Sequence, residues 1–277
     1  MADDLPVTEL IHTAVEHGIA RVTINRPEAG NSLTAEMRDR LSDTFDDLSA
    51  NLGVRAVVLT GAGEKHFCTG AGLGGAQPAS PPRPEGAPDR TLGDISRLIR
   101  RGWQRLAASI MDCEKPVIAA VNGTAAGGGA NLVLACDLVV MADHARLIEV
   151  FVKRGIIPDA GGAYLLPRLV GLHRAKELMF LGDDLPASEC ERFGIANRVV
   201  PADQLATVVD DLATRLALGP TKAISMTKWL INRSHESSRH TAFEEEGYAQ
   251  ELVTATADMT EGIKAFSERR APDFKGW

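Results

Sequence analysis

The segment Val117–Asp137, VIAAVNGTAAGGGANLVLACD, decides the fold of this chain. It begins with an apolar run, Val117–Val121, that is long enough for a buried strand, and it turns at Asn122-Gly123. Three consecutive glycines, Gly127–Gly129, then precede a second apolar stretch, Leu132–Ala135. The pattern predicts a strand, a tight turn and a buried helix whose first turn is lined by glycine.

The glycine triplet also points to chemistry. Glycines are poor helix formers, so three in a row suit a place where the backbone must approach another group closely. The first N–H groups of a helix have no internal partner and carry partial positive charge. Such a start suits an anion, or an oxygen that becomes anionic during a reaction. Close helix packing without a ligand is the alternative interpretation.

The composition is typical of a globular protein without a basic surface. The chain has 277 residues and a formal net charge of −7, which disfavours nucleic acid as a partner. Its four cysteines are far apart and form no CxxC pair, which favours free thiols in a reducing compartment. The acidic start has no apolar signal core, and no apolar window is long enough for a membrane span. We therefore expect a soluble, cytoplasmic protein without a membrane partner.

Strand and helix patterns alternate over the first part of the chain. The predicted elements are a hairpin of Thr8–Glu16 and Gly18–Asn25, a helix Ala35–Ala50 capped by Thr34, a strand Arg55–Thr60, a helix Ile95–Met111 and a strand Leu138–Met141. Alternation of this kind predicts a parallel sheet whose ligands collect at the carboxyl ends of the strands. A second glycine cluster, residues 68–75, follows such an end, so both clusters are expected on one rim. From His173 onward the pattern is mostly helical.

Several common site types do not fit the sequence. A dinucleotide fingerprint fails because Gly61 and Gly63 are followed by His66 where a third glycine is required. No strand leads into a phosphate-binding loop with Lys and Ser or Thr, and no G-x-S-x-G elbow exists. The seven histidines have no metal-ligand spacing, so we expect no metal site.

Five blocks together resemble the crotonase superfamily, the enoyl-CoA hydratase/isomerase family. They are Asn25–Leu33 (NRPEAGNSL), Phe67–Leu73 (FCTGAGL), Lys115–Gly129 (KPVIAAVNGTAAGGG), Cys136-Asp137 and Ile157–Gly162 (IPDAGG). A sixth stretch, Ala265–Arg270, is similar to the family's C-terminal helix. The likeness covers nearly the whole chain in the right order and spacing.

The resemblance implies an α/β crotonase (ClpP-like) fold of repeated ββα units. Residues 1–200 would form the core that carries the CoA-thioester site, and residues 201–277 a helical region for trimerisation. The expected substrate is an acyl-CoA, with coenzyme A as part of the substrate and no separate cofactor. The expected assembly is a homotrimer or a dimer of trimers.

The resemblance also assigns residues to the site. Ala71 and Gly128 would donate their backbone N–H groups to the thioester oxygen and so stabilise an enolate. Removal of one such donor typically costs about 3 kcal/mol of barrier. The other positions expected at the substrate or its CoA are Arg26, Ala29, Gly72, Leu73, Asn131, Phe151, and Phe266 and Arg269 from a neighbouring subunit. The Pro-rich loop Gln77–Asp89 would line the acyl pocket.

Two departures from the family pattern bear on the reaction. Hydratases of the family use two glutamates, and this chain has Asn131 and Phe151 at those positions, neither of which can transfer a proton. Asp159 remains, and some isomerases of the family place an Asp there. An apolar pocket raises the pKa of a carboxyl group, which can then take and return a proton. We therefore predict that Asp159 is the acid/base of an isomerisation.

Other interpretations remain open on the sequence alone. Asp159 could instead cap the helix that follows it. Glu149 could replace it if the local strand is bulged, although strict alternation puts Glu149 on the face of Phe151. The alternative functions are an enoyl-CoA hydratase, another CoA-thioester reaction such as hydrolysis or dehalogenation, and a catalytically silent acyl-CoA binder.

Overall fold

The computed structural model of the chain describes residues 7–72 and 83–277. Its strands are β1 Ile11–Glu16, β2 Ile19–Ile24, β3 Ala56–Gly61, β4 His66–Cys68, β5 Val117–Val121, β6 Thr124–Ala126, β7 Leu138–Ala142, β8 Arg146–Ile148, β9 Asp184–Pro186 and β10 Arg198–Val200. Its α-helices are α1 Val7–Leu10, α2 Ala35–Ala50, α3 Asp94–Ile99, α4 Arg105–Asp112, α5 Gly128–Ala135, α6 Gly162–Val170, α7 Leu172–Leu181, α8 Ala187–Arg192, α9 Leu205–Ala217, α10 Thr221–Ser234, α11 Arg239–Thr254 and α12 Ala257–Glu268.

The strands form two sheets, and from β3 to β8 successive strands alternate between them. The larger sheet has the order β1-β2-β3-β5-β7-β10, and the smaller has the order β4-β6-β8-β9. Pairing is parallel except for β1 with β2 and β8 with β9. The first unit contributes both of its strands, β1 and β2, to the larger sheet before helix α2. Each of the next three units contributes one strand to the larger sheet, one short strand to the smaller sheet and then a helical segment. The predicted α/β fold of repeated ββα turns is therefore confirmed.

The central strand β5 explains why the opening segment decides the fold. All five of its side chains are buried, as expected for a parallel strand covered on both faces. It pairs with β3 on one side and β7 on the other. Helix α2 also begins where the sequence predicts it, because the Thr34 Oγ1 accepts a hydrogen bond of 3.2 Å from the Met37 N–H.

The sequence analysis missed the smaller sheet. Its four strands have only three residues each, too few to show a period-two pattern. The first predicted strand also starts too early, because residues Val7–Leu10 are helical and pairing begins at Ile11. The predicted helix Ile95–Met111 is present, but residues Arg100–Gln104 form a wider π-helical turn inside it.

An ion pair between buried Lys228 and partly buried Asp137 attaches helix α10 to the central segment. Lys228 of α10 donates to the Asp137 carboxylate at 2.8 Å, and its ammonium also reaches the carbonyl oxygens of Ile110 and Lys115. The same carboxylate accepts from the Val117 N–H at 2.7 Å. One pair therefore fixes α10 against the start of β5 and the residue before β7. No helix among the described residues is both long and apolar enough to cross a membrane.

We expect Lys228→Met to lower the free energy of unfolding by about 2 to 3 kcal/mol, because it leaves the Asp137 charge poorly compensated. Lys222→Met is the matched control on the same helix, since its ion pair with Glu114 is exposed and should contribute less than about 1 kcal/mol. Urea unfolding of both variants gives the comparison. Equal losses would show that burial of the pair is not what matters.

Candidate active site

Four of the predicted site residues line one small cavity of about 60 Å³. Ala71, Gly128, Phe151 and Asp159 contribute to its wall, together with Trp103, which the sequence analysis did not select. A larger groove of about 960 Å³ lies beside Lys65, His144 and Arg146, and none of the predicted site residues lines it. The fold therefore brings the residues predicted for the chemistry together in the smaller cavity.

The N–H group of Ala71 points away from the extended segment around Leu33, with which Ala71 is paired. Leu33 donates to the Gly70 carbonyl at 2.8 Å, and Gly72 donates to the Leu33 carbonyl at 3.2 Å. Because bonding groups alternate along an extended chain, the N–H of the residue between them points to the other side. No backbone hydrogen bond between described residues uses the N–H of Ala71.

The amide of Gly128 is available for a different reason. Gly128 is the first residue of α5, where a helix has no internal acceptor for the N–H group. No backbone hydrogen bond between described residues uses this amide either. Both residues therefore lie on the wall of one cavity, and neither N–H group donates a backbone hydrogen bond to another described residue.

Close contacts explain two of the three consecutive glycines. A Cβ on Gly129 would overlap the carbonyl oxygen of Cys68, and a Cβ on Gly128 would lie 2.6 Å from the Trp103 ring. Any side chain would push the start of α5 away from the segment that carries Ala71. The close approach predicted from the sequence is therefore present.

Asp159 is a half-buried acid on the cavity wall. Its Oδ1 has no hydrogen-bond partner among the described residues. Burial raises the pKa of this carboxyl to about 6, against the attraction of the Arg38 guanidinium. The capping interpretation is wrong, because α6 starts at Gly162 with Gly161 as N-cap and no side-chain cap bond. The next residue, Ala160, has a left-handed backbone with φ of 50°, a local strain that fixes the turn.

The two positions at which the resemblance places the hydratase glutamates have structural roles in this chain. Asn131 is fully buried, and its Nδ2 donates to the Asp159 carbonyl at 2.8 Å, while its Oδ1 has no partner among the described residues. Phe151 is buried and presents an apolar ring to the cavity. Asn131 thus holds the backbone of the acid, and Phe151 limits water beside it.

Glu149, which the sequence analysis leaves open as an alternative acid, is buried. Its side chain is 1% exposed, and neither carboxyl oxygen has a partner among the described residues. Burial, and next the charge of Asp159, raise the pKa of Glu149 to about 8, so it is mostly neutral at pH 7. The alternation argument failed because β8 ends at Ile148 and the 3₁₀ helix Val150–Arg154 follows, so the two-residue period does not continue.

Arg38 and Trp103 were also missed. The guanidinium of Arg38 lies 5.2 Å from the centroid of the Trp103 ring, and Arg38 is buried. The periodic apolar residues of α2 are Met37, Leu41, Phe45 and Leu48, and their period does not show that the arginine next to Met37 turns inward. Trp103 lies in the π-helical turn, whose wider geometry the periodicity does not predict.

Three of the residues expected at the CoA end, Arg26, Ala29 and Gly72, lie close together and do not line the small cavity. Arg26 is buried and its Nη1 donates to Ser32 Oγ at 3.2 Å; Gly72 lies beside this pair, and Ala29 closes the short helix Pro27–Ala29. Leu73 and residues 77–82 of the predicted loop lie outside the described residues.

Phe266 and Arg269 lie at the end of α12. Phe266 is 87% exposed, and Arg269, also exposed, follows the last residue of the helix with φ of 54°. Neither residue lines the cavity of its own chain. The described residues contain no group of three or more His, Cys, Asp or Glu side chains that could hold a metal ion.

The family model for enoyl-CoA hydratase/isomerase matches residues 14–277. The chain therefore belongs to the enoyl-CoA hydratase/isomerase family, the crotonase superfamily that its motifs resemble. Its membership rests on almost the entire length of the chain, including the C-terminal helices.

Relatives of known name include both isomerases and hydratases. The chain is 37% identical over 270 residues to 1,2-epoxyphenylacetyl-CoA isomerase of Escherichia coli, covering 97% of this chain and 99% of that protein. It is 34% identical over 259 residues to crotonyl-CoA hydratase of Syntrophomonas wolfei, covering 94% and 95%. The crystal structure of an enoyl-CoA hydratase from Bacillus anthracis superposes with a TM-score of 0.86 at 32% identity, covering 97% of this chain and all of that one.

We expect Gly129→Ala to lower the free energy of unfolding by about 3 kcal/mol, because the added methyl group overlaps the Cys68 carbonyl and backbone must move. Gly247→Ala is the control: it lies in α11 with no atom within 4 Å of its built Cβ, so it should be neutral or stabilising. Urea unfolding distinguishes them. Similar stability of the two variants would contradict the close approach.

We expect Glu149→Gln to gain stability relative to the wild type as pH rises. The pKa of this carboxyl is 4.5 in the unfolded chain and about 8 in the folded chain. Its burial therefore lowers the free energy of unfolding little at pH 4 and by an increasing amount up to pH 8. The difference between variant and wild type should therefore grow by about 3 kcal/mol between pH 5 and pH 8. Unfolding curves at several pH values measure it, and a difference independent of pH would refute a buried neutral Glu149.

Proposed function

We propose that this chain is an acyl-CoA isomerase that moves a double bond along the acyl group through an enolate held by two backbone amides. One observation carries the proposal: Asp159, an acid whose pKa is raised to about 6, shares a cavity with the unspent amides of Ala71 and Gly128. Asn131 and Phe151, where hydratases carry glutamates, favour isomerisation over hydration. The name of the Escherichia coli relative agrees with this choice.

The proposed reaction transfers one proton out and back. The Asp159 carboxylate removes a proton from an acyl carbon, and the C–H electron pair moves into a dienolate whose negative charge rests on the thioester oxygen. The amides of Ala71 and Gly128 stabilise that oxygen, each by about 3 kcal/mol. The Asp159 acid then returns the proton to a different carbon, and the carbonyl forms again. No water is consumed and no net proton is released.

The apolar walls support return of the proton to the substrate. Phe151 and Trp103 are buried, and both face the cavity. A dry cavity strengthens the hydrogen bonds to the enolate oxygen and keeps water from competing for the proton. The proposed reaction requires no cofactor beyond the coenzyme A of the substrate.

The CoA portion is proposed to bind near Arg26, Ala29, Gly72 and Leu73. Phe266 and Arg269 would then act from a neighbouring subunit of a homotrimer or a dimer of trimers. The exposure of Phe266, a large apolar side chain at 87%, favours a role that involves another copy of the chain.

Hydration is the second candidate. Several relatives are named hydratases, and Glu149, an acid whose pKa is raised to about 8 by burial, directly precedes the cavity residues Val150 and Phe151. Because Glu149 itself does not line the cavity, this candidate requires its side chain to move. Water addition to crotonyl-CoA, assayed beside migration of the double bond in a 3-enoyl-CoA, separates the two reactions.

We expect Asp159→Asn to lower kcat for double-bond migration about 100-fold or more, while binding of acyl-CoA is retained, because the amide cannot accept the proton. In the wild type, kcat/KM should fall below pH 6 as Asp159 takes up a proton. Asp183→Asn, at an exposed ion pair with Lys153, is the control and should keep full turnover. An active Asp159→Asn enzyme would exclude this residue as the base.

A further inference from the structure

A buried arginine, Arg38, lies against Trp103, one of the residues that form the cavity wall. Arg38 projects from α2, is 9% exposed, and lies over the Trp103 ring at 5.2 Å from its centroid. Its Nε has no hydrogen-bond partner among the described residues. Burial lowers the pKa of the guanidinium, against attraction by Asp39 and Asp159, yet an arginine remains charged at neutral pH. A buried charge of this kind is costly unless a nearby group of opposite sign compensates it.

The π-helical turn shapes the place that Arg38 occupies. Trp103 supplies the face on which the guanidinium stacks, and its ring also lines the cavity and contacts Gly128. The residue before it, Gly102, leaves room for the side chain, because a Cβ there would lie 3.0 Å from Arg38 Nη1. The position of the cation is therefore tied to the same ring that closes the cavity.

Asp159 faces charged groups from three elements. The charge of Arg38, on α2, favours the ionised carboxylate of Asp159. The charge of Asp159 also raises the pKa of Glu149, the residue before the 3₁₀ helix. Glu149 is neutral below pH 8 and so adds little negative charge at pH 7. Arg154 lies on the same cavity wall but is exposed, so solvent screens its charge. Of these three groups, Arg38 is therefore the one that is both buried and charged at neutral pH.

We propose that Arg38 is a positioning residue whose guanidinium, stacked on the Trp103 ring, keeps Asp159 in the ionised form that can accept a proton. This inference rests on the proposed function of Asp159. Burial alone favours the neutral acid, which cannot start the reaction, and the cation offsets that preference. Arg38 touches neither substrate nor reacting atoms and acts through the charge of its guanidinium.

The test is a pH profile of the Arg38→Gln enzyme. Without the cation the pKa of Asp159 should rise, so kcat/KM should fall about five-fold at pH 6 and stay near the wild-type value at pH 8. Arg38→Met fills similar space without a buried polar group and must shift the profile in the same direction, which keeps the test valid if the Gln variant does not fold. Arg38→Lys retains a charge and should restore most of the activity at pH 6.

Arg105→Gln is the matched control, because it removes a cation of the adjacent helix that pairs with Asp43 at the surface. Its pH profile should match the wild type. Equal loss at pH 6 and pH 8 in the Gln and Met variants, without rescue by Lys, would overturn the inference and leave Arg38 with a packing role only.

A second measurement separates this inference from the proposed function. Titration of the free enzyme carrying ¹³C-labelled aspartate, with the Asp159 signal assigned by its loss in Asp159→Asn, reports the pKa of Asp159 without any turnover. The signal should titrate at higher pH in Arg38→Gln. An unchanged titration refutes the role of Arg38 even if Asp159 is the base, whereas an active Asp159→Asn enzyme refutes the proposed base even if the titration shifts.

Discussion

No side chain fits between Gly129 and the carbonyl oxygen of Cys68, and the geometry of the site depends on that approach. The short strands β4 and β6 pair just before the two segments meet, so the smaller sheet sets the distance between them. Three residues after Cys68 the chain presents the Ala71 amide, and one residue before Gly129 it presents the Gly128 amide. Two donors far apart in sequence therefore reach one cavity through backbone contact alone, which no side-chain rotation can disturb.

Burial affects three ionisable groups near this cavity in three different ways. Glu149, whose carboxyl oxygens have no hydrogen-bond partner in the described part of the chain, has a pKa raised to about 8 and stays mostly protonated at pH 7. Arg38 is stacked on an aromatic ring and keeps its charge, and Asp159 lies between these cases with a pKa of about 6. The difference arises from partners, because all three groups lose hydration. Glu149 and the strained backbone of Ala160 both cost stability, and the many apolar contacts of β5 and its neighbours offset that cost.

The sequence predicted the elements whose patterns are long enough to show a period. Helix α2, the hairpin of β1 and β2, and the order strand, turn, glycine, helix around Gly128 were correct. The predicted cavity residues Ala71, Gly128, Phe151 and Asp159 do line one cavity, and this followed from a resemblance as much as from pattern. Their roles in a reaction remain predictions.

The remaining features could not be read from the chain because they arise from tertiary contacts. Strands of three residues carry no period, and the inward turn of Arg38 depends on Trp103, which is sixty-five positions away in the sequence. The burial of Glu149 depends on where β8 stops. Such contacts form between segments that are distant in the sequence, and local propensity does not predict them.

The wide turn Arg100–Gln104 interrupts the regular α-helix and carries Trp103, which lines the cavity. Loss of a single amino acid from this turn would return the segment to ordinary α-helical winding, a gain in hydrogen-bond geometry. The helix on either side would keep nearly its present orientation, because the wide turn holds one extra residue within about the same rotation. The change would therefore fall on the turn itself, where Trp103 lines the cavity wall. A deletion here would leave the flanking helix in place and remove the bulge that presents Trp103 to the cavity.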